Sequence, residues 1–227
     1  MELGPEVDDA PRGLPVRQII RGRYVVLEPL HRRHVGDLWD ASRGAETSWA
    51  YMGYGPFAAR PDLERFIGSW AAAQDSAVWA VRPVTTGLAS GWLSFMSIEP
   101  ANAAIELGNI WFSPALQRTR AATEAMYLLL AMAADDLGYR RLVWKCNALN
   151  EGSRRAAERL GFTFEGILRA HQIVKGRRRD TAMYSILTDE WPVCAAALRA
   201  WLAPENFAPD GSAIVSLAAL RTAGHRS

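Results

Sequence analysis

Two cysteines in 227 residues are too few for a disulfide framework. Cys146 and Cys194 stand far apart, neither in a CxxC pair nor beside a histidine at ligand spacing, so both read as buried reduced thiols and no metal is expected. Long apolar runs are missing too. The longest without a charge, Ala125–Ala134, has ten residues, against the roughly 20 that a bilayer span needs. The first residues carry Glu2, Glu6, Asp8 and Asp9 among prolines and lack an apolar h-region, so they do not read as a secretory signal, and a cytoplasmic location is expected. An excess of one charge is nearly absent: 26 Lys+Arg against 24 Asp+Glu leaves +2, which removes any bulk attraction toward nucleic acid or membrane. Repeats and low-complexity blocks are absent, and 49% hydrophobic with 22% charged residues is the balance of a folded soluble protein rather than a disordered or fibrous one.

Tryptophan is plentiful. Nine are more than a core of this size needs, and some are expected to line an aromatic pocket. Residues 1–22, rich in proline and without a burying period, read as a flexible arm; 23–202 as one domain; 203–227 as a poorly patterned tail. Tyr24–Leu27 reads as a strand, Asp37–Trp39 as part of a short helix, and Arg60-Pro61-Asp62-Leu63 as a helix start. The period then changes to two. Strands are expected at 77–84 and 88–98, joined by a tight turn at Thr85-Thr86-Gly87, and at 104–112. A buried helix follows at 120–137, then a strand at 140–147 and a helix capped by Asn150 and stopped by Gly161. Strands at 162–174 and 179–187 flank Lys175-Gly176-Arg177, and the last helix covers 189–202. This order predicts an α/β fold with a mixed, mostly antiparallel sheet and helices on both faces.

Two strand ends lead into helix starts with unusual residues. One is Glu106-Leu107-Gly108-Asn109-Ile110-Trp111-Phe112, then Gln117-Arg118-Thr119-Arg120-Ala121-Ala122; the other ends at Asn147, before Asn150 and Ser153. Helix starts expose unpaired N–H groups that bind phosphate. If the two strands are neighbours, a ligand could lie between them.

Gln117-x-x-Arg120-x-Ala122, Asn150-x-x-Ser153, Arg159-Leu160-Gly161-Phe162 with Glu165-Gly166, and Gly176-x-x-x-Asp180 with Tyr184–Leu187 and Glu190-Trp191 occur in order. With them the chain resembles the GNAT superfamily of acetyl-CoA-dependent N-acetyltransferases, over Arg23–Trp191. It is most similar to the RimJ/RimL-like branch, associated with acetylation of protein N-termini, chiefly ribosomal. The resemblance implies acetyl-CoA as co-substrate, with Gln117, Arg118, Thr119, Arg120, Ala121 and Ala122 wrapping the pyrophosphate. It also implies that the amides of Leu107, Gly108, Asn109 and Ile110 meet pantetheine and the thioester oxygen, and that Asn150 bonds the pantetheine arm. A kink near Gly108 would free those amides from the ladder.

Two departures stand out. The family usually has glycine where this chain has Arg118 and Arg120; arginine is compatible provided φ is negative, as in a first helical turn, and its guanidinium either contacts CoA phosphates or is solvated. The tyrosine that many relatives use as proton donor falls at Ala157. Ser153 is the replacement suggested by the RimL-like pattern, against the plainer reading of a helix-start serine bonding its own backbone.

Glu106 is the best general-base candidate, its burial expected to raise its pKa, unless it pairs with an arginine. His171 comes next, as base, amine-binding group or packing residue. Lys175–Arg179 reads as a solvated hairpin tip or a docking surface for an acidic partner or RNA, with Asp180 ordering the hairpin. The expected activity is transfer of an acetyl group to a primary amine by direct attack through a tetrahedral intermediate, the acceptor being a protein N-terminus or a small amine. The alternative is a non-catalytic CoA-binding or protein-binding sensor. A homodimer is expected if a tryptophan-rich face is exposed.

Overall fold

Period-two patterning between Ile20 and Leu187 yields eight strands in the computed structural model, which describes residues 3–224. The first two positions of the expected arm and the last three of the expected tail lie outside the described residues. The strands are β1 (Ile20–Arg21), β2 (Val25–Pro29), β3 (Ala77–Pro83), β4 (Gly91–Glu99), β5 (Ala104–Phe112), β6 (Arg141–Asn147), β7 (Thr163–Val174) and β8 (Arg177–Leu187). They form one sheet in the order β1-β2-β3-β4-β5-β6-β8-β7, antiparallel throughout except for β5 and β6.

Helices cover both faces, several of them set by a local signal. On one face lie α1 (Val35–Ser42) and α2 (Arg60–Ala72), the latter with proline in its first turn. On the other lie α3 (Arg120–Ala131), α4 (Glu151–Leu160), α5 (Trp191–Leu202) and α6 (Leu217–Gly224). Thr119 caps α3 by accepting the Ala122 N–H at 3.1 Å, and Asn150 caps α4 by accepting that of Ser153 at 3.1 Å. Gly161 ends α4 at φ +107, where a Cβ would sit 2.5 Å from Cys194 Sγ, so the position needs glycine for both conformation and space.

The sheet separates two cores. The larger packs Trp79, Phe95, Leu107, Leu129, Trp144 and Leu198 beneath α3 to α5. The smaller, under α1 and α2, holds Trp49, Trp92 and Trp111, with Tyr54, Phe57, Phe66 and Trp70 packed on them. Trp49 stacks on Trp111 at 4.4 Å between centroids. Trp49, Trp70, Trp92 and Trp111 pack against one another, all nine tryptophans are buried or half-buried, and of the tryptophans Trp70 and Trp191 line cavities.

Other expectations shift. The tight turn after β3 is present, Thr86 and Gly87 both donating to Pro83 O at 3.2 and 2.8 Å with Gly87 at φ +66, but β4 begins at Gly91 rather than 88, the Ala89 N–H being taken by Asp37 on α1 at 2.9 Å. The helix after Thr119 ends in a wider turn over Met132–Asp136. Along the arm, Arg17 donates to the carbonyls of Ala71 and Ser76 at 2.7 and 2.8 Å, and the Trp79 indole donates to Gln18 O at 2.9 Å. The tail contains α6, whose Leu217 is buried in the larger core: its few apolar residues become a pattern only beside α4 and α5.

Glu124, buried on α3, accepts the N–H groups of Arg23, Tyr24 and Val25 at 2.9, 2.6 and 2.9 Å. A Cβ at Gly22 would collide with this carboxylate. The start of β2 is thus tied to α3 by a carboxylate whose burial is compensated by backbone donors.

Glu28 is a second buried carboxylate. Burial alone would raise its pKa, but hydrogen bonds from Arg33, His34 and Arg82 outweigh it and hold the carboxyl at about 2. A carboxyl more acidic folded than unfolded contributes stability that is complete above its ordinary 4.5 and lost as the pH falls toward about 2. In urea melts between pH 7 and pH 3, Glu28→Gln should therefore start less stable and lose less on acidification than the parent. Parallel losses would remove Glu28 from the acid response.

Candidate active site

The two parallel strands pair at only three positions, Ala104–Arg141, Ile105–Leu142 and Glu106–Val143. Beyond them β5 stays with β4 as far as Phe112, while β6 stays with β8 as far as Asn147. The sheet opens between them. Because the strands are parallel, α3 and α4 both begin at the same edge of this opening. Its walls are Leu107–Ile110 and Trp144–Asn147.

Trp92 faces Trp111 but Ser94 faces Gly108, so β5 carries one extra residue here, a bulge in which Asn109 takes φ +51. The kink expected near Gly108 falls one residue later. A Cβ on Gly108 would lie 2.8 Å from Met96 Sδ and 3.1 Å from Glu106 Oε1, so glycine leaves the wall open beside the carboxylate.

In the turn before α3, the N–H groups of Arg118, Arg120 and Ala121 have no acceptor among the described residues. They point out of the positive end of α3, and a left-handed residue next to helical ones gathers such donors into an anion-binding nest. Gln117 fixes this turn to the end of β5, its side chain donating to Phe112 O at 2.9 Å. Two expectations are corrected. Arg118 has φ +62 rather than a negative φ, because it precedes the cap instead of lying inside the helix. The Arg120 guanidinium lies over the rings of Phe207 and Tyr24, 3.9 and 5.4 Å from their centroids, since the C-terminal segment offers it aromatic faces.

Across the opening, Ser153 Oγ accepts the Trp144 indole N–H at 3.0 Å. The hydroxyl is not bonded to its own backbone. Asn150 faces the same edge through its cap. Ala157, at the tyrosine position, is fully buried. Burial pushes the nearby Cys146 thiol up, opposed by a hydrogen bond with Ser153 and the charges of Arg179 and Arg154, so it is no ready nucleophile.

Glu106 stands where the strands part, 5% exposed. Its Oε2 receives the Lys145 Nζ at 2.9 Å and the Ser97 Oγ–H at 3.1 Å. The partner is a lysine from the opposite wall rather than an arginine. Lys145 and Ser97 were not singled out from the sequence, although a lone lysine in the buried strand Leu142–Asn147 was a usable signal. His171 lies on β7, its Nδ1 3.0 Å from Thr181 Oγ1, and no hydrogen bond or ion pair joins it to Glu106.

The β7–β8 hairpin is not simply solvated. Lys175 and Gly176 form its two-residue turn, both at positive φ, and Lys175 Nζ donates to Trp49 O at 2.9 Å. Asp180 takes both Arg178 and the Ala170 N–H, ordering the hairpin.

Residues 25–163 match the family model described as the acetyltransferase (GNAT) domain. The chain belongs to the GNAT acetyltransferase family. A GCN5-related N-acetyltransferase from Brucella melitensis is 44% identical and superposes with a TM-score of 0.92, over 94% of this chain and 98% of that one. A GNAT-family protein from Chromobacterium violaceum is 38% identical at a TM-score of 0.78, over 84% and 98%. A Bacillus subtilis protein with the provisional name ribosomal N-acetyltransferase YdaF is 26% identical over 168 residues, 73% of this chain and 91% of that protein.

As a GNAT acetyltransferase the chain is an enzyme of acetyl transfer, similar to the RimJ/RimL-like branch, and acetyl-CoA is the donor its family uses. Among the described residues no group of histidines, cysteines and carboxylates could hold a metal ion, and no helix is long and apolar enough to cross a membrane.

The left-handed Arg118 generates a prediction. A non-glycine residue costs about 1–2 kcal/mol there, partly offset in a glycine variant by the freer unfolded chain. Arg118→Gly should raise the unfolding free energy by roughly 0.5–1 kcal/mol in urea melts while keeping the acetyl-CoA-induced rise in Tm. A less stable variant would mean that the guanidinium supplies more than its backbone strain costs.

Proposed function

We propose that this enzyme acetylates the primary amine of a protein N-terminus, ribosomal proteins being the chemical precedent in the name of its Bacillus relative, by direct attack on acetyl-CoA. One observation carries the reading: a buried carboxylate, a serine hydroxyl and a nest of unpaired N–H groups flank the same place where the sheet opens. The nest of Arg118, Arg120 and Ala121 holds the pyrophosphate. The β5 wall at Leu107–Ile110 supplies amides to the pantetheine and the thioester oxygen, where the bulge frees them. Asn150, besides capping α4, meets the pantetheine arm.

The amine arrives on the Glu106 face. A groove of about 650 Å³ runs there from Ser69, Trp70 and Asp75 past Ser97 to Asn109, and Ser97 bridges it to Glu106. Glu106 takes the ammonium proton directly or through one water, and Lys145 on the opposite wall holds the carboxylate in place. Ser153, its lone pair engaged by Trp144, donates its proton as the C–S bond breaks and recovers one from solvent. His171 is the secondary base. The enzyme works in the cytoplasm, where N-termini and acetyl-CoA meet.

Thiol release from acetyl-CoA against a panel of N-terminal peptides and small amines tests the reading. Glu106→Gln should lower kcat by about 10²- to 10⁴-fold near pH 7, with part of the loss recovered at higher pH, and leave acetyl-CoA affinity nearly unchanged. Ser153→Ala should cost less. Acetyl-CoA binding without thiol release from any acceptor would make the chain a sensor rather than an enzyme for these amines.

The reading includes a homodimer. With no tryptophan exposed, the support moves to the edge strand β7, which leaves Phe164, Ile167, Leu168 and Ile173 in solvent. Light scattering should give twice the mass of one chain, and Ile167→Lys with Leu168→Lys should give a monomer; a monomeric parent would discard this part.

A further inference from the structure

Met96 on β4 faces Glu106 on β5, and in a regular strand the next residue would turn its side chain to the other face of the sheet. Ser97 does not. Glu99 faces Ala104, so β4 carries one extra residue between Met96 and Glu99, and within this bulge Ser97 takes φ +45. The left-handed backbone brings its hydroxyl to Glu106, where Oγ–H donates to Oε2 at 3.1 Å. Such a conformation is costly for serine and persists only where the surroundings hold it, most often at an active site. On the neighbouring strand Asn109 is left-handed as well, and both residues line the same groove.

This is the groove by which the acceptor amine arrives. Glu106, 5% exposed, forms none of its wall, whereas Ser97 is an exposed part of it. Lys145 reaches the same Oε2 at 2.9 Å and is not part of the groove wall either. Ser69, also on the groove, donates its hydroxyl back to Phe66 O at 2.8 Å, and among the described residues no other hydroxyl bonds the Glu106 carboxylate. The Ser97 hydroxyl thus aims its proton at the carboxylate and keeps lone pairs for a donor in the groove.

We propose that Ser97 is a catalytic proton relay, carrying the proton of the acceptor amine from the groove to Glu106. As the ammonium donates to Ser97 Oγ, its N–H bond breaks and an O–H bond forms on the serine. The original O–H bond of Ser97 breaks in the same step, and Glu106 Oε2 takes that proton. The net change is one neutral amine and one protonated carboxyl, which returns its proton to solvent after turnover, with Ser97 unaltered. The inference rests on the acetyl-transfer reading with Glu106 as base, and it gives Ser97 the place of the bridging water.

Steady-state thiol release by the full chain, with acetyl-CoA and a peptide acceptor that supports turnover, tests it. Ser97→Ala and Ser97→Gly should each lower kcat about tenfold or more and raise KM for the peptide, with KM for acetyl-CoA unchanged. Glycine takes the left-handed backbone readily, so Ser97→Gly should unfold no more easily in urea than the parent, and it keeps the test open if the alanine variant does not fold. Added to Glu106→Gln, Ser97→Gly should slow turnover no further, because both changes cut one path. Full activity in either folded Ser97 variant, a lower kcat with an unmoved peptide KM, or additive losses in the double variant would overturn the relay and leave Glu106 as the base. Unimpaired turnover in Glu106→Gln, or no thiol release with any acceptor, would instead overturn the reading beneath it.

Discussion

The parting of β5 from β6 after three paired residues is the constraint on which the rest of this molecule turns. A continuous sheet would satisfy its backbone donors internally and leave no room for a cofactor arm. Here each strand keeps its other neighbour, so the sheet opens without either strand losing its support. The bulge at Asn109 bends one wall, and Gly108 keeps the space beside it free. At the point of parting, Glu106 and Lys145 join the two walls by an ion pair. Burial of the carboxylate is tolerable because the half-exposed Lys145 pairs with it and Ser97 adds a further hydrogen bond.

The two cores divide the labour on either side of this slot. The larger supports the helix starts at 118–121 and 150–153, where the electrostatics suit a phosphate-bearing donor. The smaller is a block of interlocking aromatic rings beneath α1 and α2. Lys175 ties the β7–β8 hairpin to the carbonyl of Trp49 in that block.

Charged groups at the periphery hold the chain ends to this frame. Glu124 gathers three backbone donors at the start of β2, and Arg120 is sandwiched by Tyr24 and Phe207. Arg17 caps the end of α2 through the carbonyls of Ala71 and Ser76. Such contacts explain why stretches without periodicity are nonetheless seated on the body. Their order comes from single polar side chains reaching backbone groups, which leave no pattern of apolar spacing.

Local chemistry made much of the fold legible in the sequence. Pro61, Thr119, Asn150 and Gly161 act within a turn of themselves, and alternation of apolar residues is enough to place most strands, so the order of elements and the sheet class could be read directly. The helix starts at Arg120 and Asn150 and the carboxylate at Glu106 were legible for the same reason. The partner of Glu106, the left-handed backbone of Arg118, the destination of the Arg120 guanidinium and the packing of nine tryptophans were not. Each depends on which strand lies beside which and on what a distant segment places against a side chain. Lys145 meets Glu106 only because β5 and β6 run parallel in one register, and Arg120 leaves the helix start only because Phe207 returns to cover it. Short-range stereochemistry decided the elements; long-range register and burial, which no local spacing encodes, decided the site.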